Sequence, residues 1–242
     1  TQCVEFFLIR IAISNGILLI WQTHTHRSHT TDLCPLAPEA RQTSHSRTCD
    51  SHTCDVLIYG RGQGGVLLAG PADELLIAQC AGLSGDDSAL GQSIQTLAKV
   101  AKVTKPKALE SEYNRLFIGL GRGELLPYAS YYLTGFLNEK PLAVLRQDMM
   151  ARGLARSPNV FEPEDNIASL MEMMGAMIVG RFAAPADLAT QREFFNRHIG
   201  PWAAHFFSDL EAAKNAVFFS PVGTVGRAFM EIEQEAFRLG GD

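Results

Sequence analysis

The chain has 242 residues and a mass of 26.5 kDa, enough for one sizeable domain or a domain plus an appendage. Its 46% apolar against 19% charged residues excludes a wholly disordered chain. A net charge of −5 excludes a generally basic nucleic-acid binder, and no apolar run reaches the roughly 18–20 residues of a membrane span.

Residues 1–65 read as an N-terminal extension without regular structure. Four of the five cysteines (Cys3, Cys34, Cys49, Cys54) and five of the seven histidines (His24, His26, His29, His45, His52) lie there. Residues 22–55 are rich in Thr, Ser, His and Asp and lack apolar periodicity, a composition that cannot offset chain entropy. Phe6 to Ile20 is apolar apart from Arg10, Ser14 and Asn15, but Glu5, Arg10 and the lack of an A-x-A pattern argue against a signal peptide. His45, Cys49, His52 and Cys54 could supply soft metal ligands. Their spacing matches no standard zinc pattern, so a metal-binding protein stays an alternative behind a disordered tail. The remaining cysteine, Cys80, requires no oxidising compartment.

From about residue 66 to 242 the pattern is helical. Val56–Tyr59 is the one strand-like run. Leu90, Ile94, Leu97 and Ala101 repeat at helical spacing, and Leu109, Tyr113, Leu116 and Phe117 form the next face. Leu142, Leu145 and Met149 follow, ended by Gly153. Ile167, Leu170, Met171, Met174, Met177 and Ile178 mark another helix. Trp202, Phe206, Leu210, Ala213 and Val217 predict one long helix after Pro201, and Val222, Val225, Phe229, Ile232 and Ala236 the last, before Gly240. Pro106, Pro127, Pro141, Pro158, Pro185, Pro201 and Pro221 punctuate these segments. The expectation is a single all-α multi-helix bundle of roughly seven to nine helices.

Two glycine-rich segments suggest nucleotides. Gly60-x-Gly62-x-x-Gly65 matches a dinucleotide fingerprint by letter, but Gly70 and Pro71 leave no room for the helix that must face the pyrophosphate. A nucleotide-binding protein using Gly60–Gly65 is retained as an alternative. Gly119-x-Gly121-x-Gly123 lacks the Gly-Lys-Ser/Thr end of a phosphate loop and reads as a bend between helices. No nucleophile–base pair stands out, since Pro201 separates His198 from His205.

Five ordered stretches carry a resemblance. They are Glu112-Tyr113-x-x-Leu116-Phe117 running on to Tyr132-Leu133-Thr134-Gly135, Pro141-Leu142-Ala143-x-Leu145-Arg146-x-Asp148, Glu162-Pro163-Glu164-Asp165-Asn166-Ile167-Ala168, Phe194-Phe195-x-x-His198-x-x-Pro201-Trp202, and Val222-Gly223-x-x-Gly226-Arg227-Ala228-Phe229. Over about residues 71–239 the chain resembles the TorD/DmsD/NarJ family of redox-enzyme maturation chaperones. The resemblance implies an all-α fold and a non-enzymatic, cytoplasmic task. Such proteins bind the twin-arginine leader of a molybdoenzyme catalytic subunit, such as a formate dehydrogenase, and hold it until its cofactor is inserted. No catalytic residue, metal, nucleic acid or membrane span enters, and a homodimer fits the family. The family's acidic motif ends in His where this chain has Asn166, which counts against the GTP binding proposed for some members. The glycines before residue 66 suit no family helix, so that stretch is expected to be foreign sequence joined to the family core.

The candidate peptide-binding residues are Tyr128, Ser130, Tyr132, Glu162, Glu164, Asp165, Asn166, His198 and Trp202. Acids at 162, 164 and 165 suit an arginine-rich peptide through charge-assisted bonds. Equally, Pro163 and its acidic neighbours could open the helix that follows and complement its dipole. The tyrosines offer apolar area with a polar tip, or ordinary packing between helices. His198 reads as a core histidine satisfied by a backbone carbonyl, ahead of a ligand. The methionines, at helical spacing, read as core ahead of an adaptable groove.

Overall fold

The structure is a computed structural model that describes residues 9–14, 17–22, 67–156, 160–181 and 184–239. Strands β1 (Ile9–Ser14) and β2 (Ile17–Gln22) form an antiparallel hairpin with Ile9 opposite Gln22. This pairing departs from the expectation of an extension without regular structure, and Asn15-Gly16 between the two runs is the hairpin signal in the sequence. The Gly60–Gly65 segment, the Val56–Tyr59 run and the Cys/His tract lie outside the described residues.

The rest is helical: α1 (Glu74–Ala81), α2 (Ala89–Ala101), α3 (Pro106–Tyr113), α4 (Ala129–Thr134), α5 (Lys140–Ala151), α6 (Ile167–Val179), α7 (Leu188–Phe194), α8 (Ala203–Ala212) and α9 (Phe219–Leu239). Single π-helical turns extend α3 through Asn114–Ile118 and α7 through Phe195–Ile199. Starts follow local chemistry. Asp73, Ser88, Asn166 and Asp187 each accept a backbone N–H of the first turn of α1, α2, α6 and α7. Pro106 and Pro141 sit in the first turns of α3 and α5, where a missing N–H costs nothing. The expected all-α bundle is thus observed.

The core is aromatic. Trp202, Phe194, Phe195, Phe206, Phe218 and Phe219 are fully buried, each burial contributing about 1.5–3 kcal/mol. α8 and α9 pack closely because α9 presents Gly223 and Gly226 to α8. An added Cβ on Gly226 would lie 2.2 Å from the Phe207 ring.

One expected helix is shorter than its stripe. The run from Trp202 to Val217 ends at Ala212, and Val217 is 69% exposed. The chain turns there because the Glu124 carboxylate accepts from the backbone N–H of Lys214 (2.7 Å) and Asn215 (3.1 Å). The Gly119–Gly123 bend is as expected: Gly119 and Gly121 have φ of +64° and +95°, which favour glycine.

Candidate functional site

The acidic stretch before α6 joins two helix starts. Asn166 caps α6 through Ala168 N–H (2.9 Å) and pairs as a bridge with Tyr128, which precedes α4. Asp165 caps α4 from outside: its Oδ2 accepts Ser130 N–H at 2.7 Å and its carbonyl accepts Ala129 N–H at 3.0 Å. Glu162 accepts the Tyr128 hydroxyl hydrogen bond. Glu164 accepts two bonds from Arg146 of α5, from Nε (3.0 Å) and Nη2 (2.8 Å). Burial opposes its ionisation, but the Arg146 bonds and the charges of Arg146 and Arg156 hold the carboxyl below its ordinary range.

Two cavities border this stretch. The first, about 340 Å³, has walls of Leu133, Pro141, Val144, Leu145 and Leu170, with Asp165, His198, Lys140, Arg197 and Thr134 as its charged or polar residues. Asp165 Oδ1 and Ser130 Oγ are buried without a hydrogen-bond partner among the described residues. His198 Nε2 lies 2.8 Å from Asp148 Oδ2. Burial pulls the His198 pKa below its ordinary value, against the Asp148 bond and charge and with the charges of Arg197 and Arg152. The neutral ring therefore donates Nε2–H to the carboxylate. The second cavity, about 360 Å³, lies on Met149, Leu154 and Met173 and carries Glu162, Glu164, Glu172 and Arg156. Val160, Phe161 and Met150 are exposed in the same stretches of chain.

The candidate residues separate accordingly. Glu162 and Glu164 line the second cavity, and Asp165 and His198 the first. Tyr128, Ser130, Tyr132, Asn166 and Trp202 line neither. Tyr132 packs on Trp202 and Phe206 and donates to Asp209 Oδ2 (2.8 Å). Trp202 is buried in the core, its indole N–H donating to the His198 carbonyl (2.8 Å). Two expectations change. α6 has no acid in its first turn: Pro163, Glu164 and Asp165 precede Asn166, and the two acids bond to α5 and α4. The partner of His198 is a carboxylate rather than a backbone carbonyl, because the π-helical turn directs its ring at α5. Of the methionines, Met171, Met174 and Met230 are core as read and Met149 and Met173 also floor the second cavity, but Met150 is 76% exposed and departs from the reading. Arg156 and Glu172 were not singled out from sequence, since nothing local marks a charge as facing a cavity. Arg146 and Asp148 stood in the Pro141–Asp148 stretch, which was a usable signal. Among the described residues no group of three or more His, Cys, Asp or Glu could hold a metal, and no helix is long and apolar enough to cross a membrane.

Among the described residues the helices form an all-α bundle in which the acidic stretch joins the starts of α4 and α6. The family model of the nitrate reductase delta subunit matches residues 84–208, and the chain belongs to that family. Curated relatives include the chaperone protein TorD of Vibrio cholerae, 28% identical over 138 residues, covering 51% of this chain and 63% of the relative. TorD of Vibrio atlanticus is 24% identical over 135 residues, covering 52% and 63%. The chain thus spans just under two thirds of the length of these relatives. Among solved structures, a candidate redox enzyme maturation protein from Archaeoglobus fulgidus is 21% identical, with 68% of this chain and 88% of that one covered and a TM-score of 0.45. The family matches bear out the resemblance read from the five motifs.

Proposed function

We propose that this protein is a cytoplasmic chaperone for a molybdoenzyme catalytic subunit, binding its twin-arginine leader reversibly in the second cavity. The observation that carries the reading is a methionine floor, Met149 and Met173, beneath Glu162, Glu164 and Glu172. Carboxylates suit guanidinium groups through charge-assisted bonds, and thioether side chains adapt to varied apolar residues. Exposed Val160, Phe161 and Met150 offer area for the apolar stretch beyond the arginines. TorD relatives are named chaperones, which supports a binding role without covalent chemistry. The reading needs no bound nucleotide or metal.

Calorimetric titration of the full chain with molybdoenzyme leaders, each beside an Arg-Arg→Gln-Gln control, tests it. The control should bind about two- to fivefold more weakly, the value of one part-exposed ion pair of up to about 1 kcal/mol. The double variant Glu162→Gln with Glu172→Gln should show a similar loss. Equal binding of leader and control by folded protein would refute the reading.

A further inference from the structure

The two oxygens of Glu164 are unequally engaged. Oε2 takes both Arg146 bonds, whereas Oε1 accepts no hydrogen bond from another described residue, the carboxylate's remaining hydrogen bond being to its own backbone N–H. Its nearest cation is Arg156, whose Nε stands 3.8 Å away, an ion pair too long to be a hydrogen bond. Arg156 follows the end of α5 and lines the second cavity beside Glu164. Its side chain is 40% exposed, against 10% for Glu164. Arg146 thus anchors Glu164 within the fold, while Arg156 is loosely held on the cavity side, where an incoming guanidinium would stand.

We propose that Arg156 is an internal stand-in for a leader arginine, resting against Glu164 Oε1 until the leader displaces it. This rests on the leader-binding reading above. The exchange has a direct consequence. A leader arginine that reaches Oε1 gains an ion pair only as Arg156 loses one, so that contact adds little net affinity. The second arginine, at Glu162 or Glu172, adds its contact without displacing a partner on Glu164. Glu172 is itself exposed and paired with Arg181 at 3.4 Å, so its contribution is modest. Arg156 therefore lowers leader affinity and favours release, which a chaperone that must surrender its client requires.

The test is calorimetric titration of the full chain carrying Arg156→Gln, Arg156→Lys, Glu164→Gln, or Arg156→Gln with Glu164→Gln, against twin-arginine and Gln-Gln leaders. Arg156→Gln should bind the twin-arginine leader about two- to fivefold more tightly, the value of one part-exposed ion pair. Its affinity for the Gln-Gln leader should not change. Arg156→Lys keeps the cation and should stay near wild type. In the Glu164→Gln background the gain should vanish. Circular dichroism of every variant checks that each is folded. Unchanged or weaker twin-arginine binding by folded Arg156→Gln, with arginine-dependent binding intact in the wild type, would overturn the stand-in alone. Arginine-independent binding by the wild type would overturn the leader reading, and the stand-in with it.

Discussion

Helix α9 begins on a carboxylate from a distant part of the chain. Glu112 of α3, 5% exposed, accepts the backbone N–H of Val217 (2.8 Å), Phe218 (3.1 Å) and Phe219 (2.8 Å). The first N–H groups of a helix have no partner within it, and this carboxylate supplies one to three successive donors. Phe218 and Phe219 are fully buried, so water cannot easily replace it. Glu112→Ala would strand these donors at about 1–3 kcal/mol each before relaxation. Fraying of the helix start would recover part of that, as the limit of about 2 kcal/mol for lost caps indicates. Lost side-chain packing adds about 1 kcal/mol. The expected cost is about 3–5 kcal/mol, a large share of the roughly 5–15 kcal/mol typical of a domain.

Glu112→Gln separates the terms. It keeps the stem and one acceptor oxygen but sets an NH₂ against a backbone donor, so about 1.5–3 kcal/mol is expected. Urea unfolding followed by far-UV circular dichroism reads both variants, provided the slope matches wild type. An Ala variant within about 1 kcal/mol of wild type would show that the carboxylate does not hold the helix start, and the reasoning would fail.

Two further outcomes follow from packing and protonation. A Cβ on Gly223 would meet the Glu211 backbone nitrogen at 2.4 Å, which cannot swing aside as a side-chain tip could. Gly223→Ala should therefore cost about 2 kcal/mol despite its better helix propensity, and lower the melting temperature by about 4–8 °C. A variant as stable as wild type would mean that the α8–α9 contact is looser than described. His198 has its folded pKa below the unfolded value, so the unfolded chain binds the proton more readily as pH falls. Its contribution is complete above the ordinary histidine value near 6.5 and is lost progressively below it. Around it stand Asp148, Arg152 and Arg197, with Asp165 and Lys140 at the same cavity. His198→Gln should lose less of its urea midpoint than wild type between pH 7.5 and 5.5, and equal losses would refute the assignment.

What the sequence disclosed was local, and what it concealed was long-range. The stripes of α2, α5, α6 and α9 were legible because burial on one face leaves a 3.6-residue period. The end of α8 was not, because Ala213 and Val217 continue the period while Glu124, 90 residues from Lys214, turns the chain away. Glu112 and Gly223-x-x-Gly226 were visible as motif letters. Their work, a remote cap and a close helix approach, appears only once α3, α8 and α9 are packed together.

The same distinction reshapes the acidic stretch. Four polar residues in five positions read as a negative patch awaiting a cation. Folding assigns each a partner: Glu162 holds Tyr128, Glu164 holds Arg146, Asp165 caps α4 and Asn166 caps α6. These contacts cross 34, 18 and 35 residues for the three acids, beyond any periodic signal. A charge already bonded on one oxygen is positioned rather than free, since each fixed bond removes a rotamer that a ligand would otherwise have to freeze. In the proposed leader binding, recognition would use the oxygens that remain, and on Glu164 that is Oε1, facing Arg156 across 3.8 Å. The stretch is thus a scaffold first: Asp165 and Asn166 join α4 to α6, while Glu162 and Glu164, bonded to Tyr128 and Arg146, stand at the cavity that Met149 and Met173 floor.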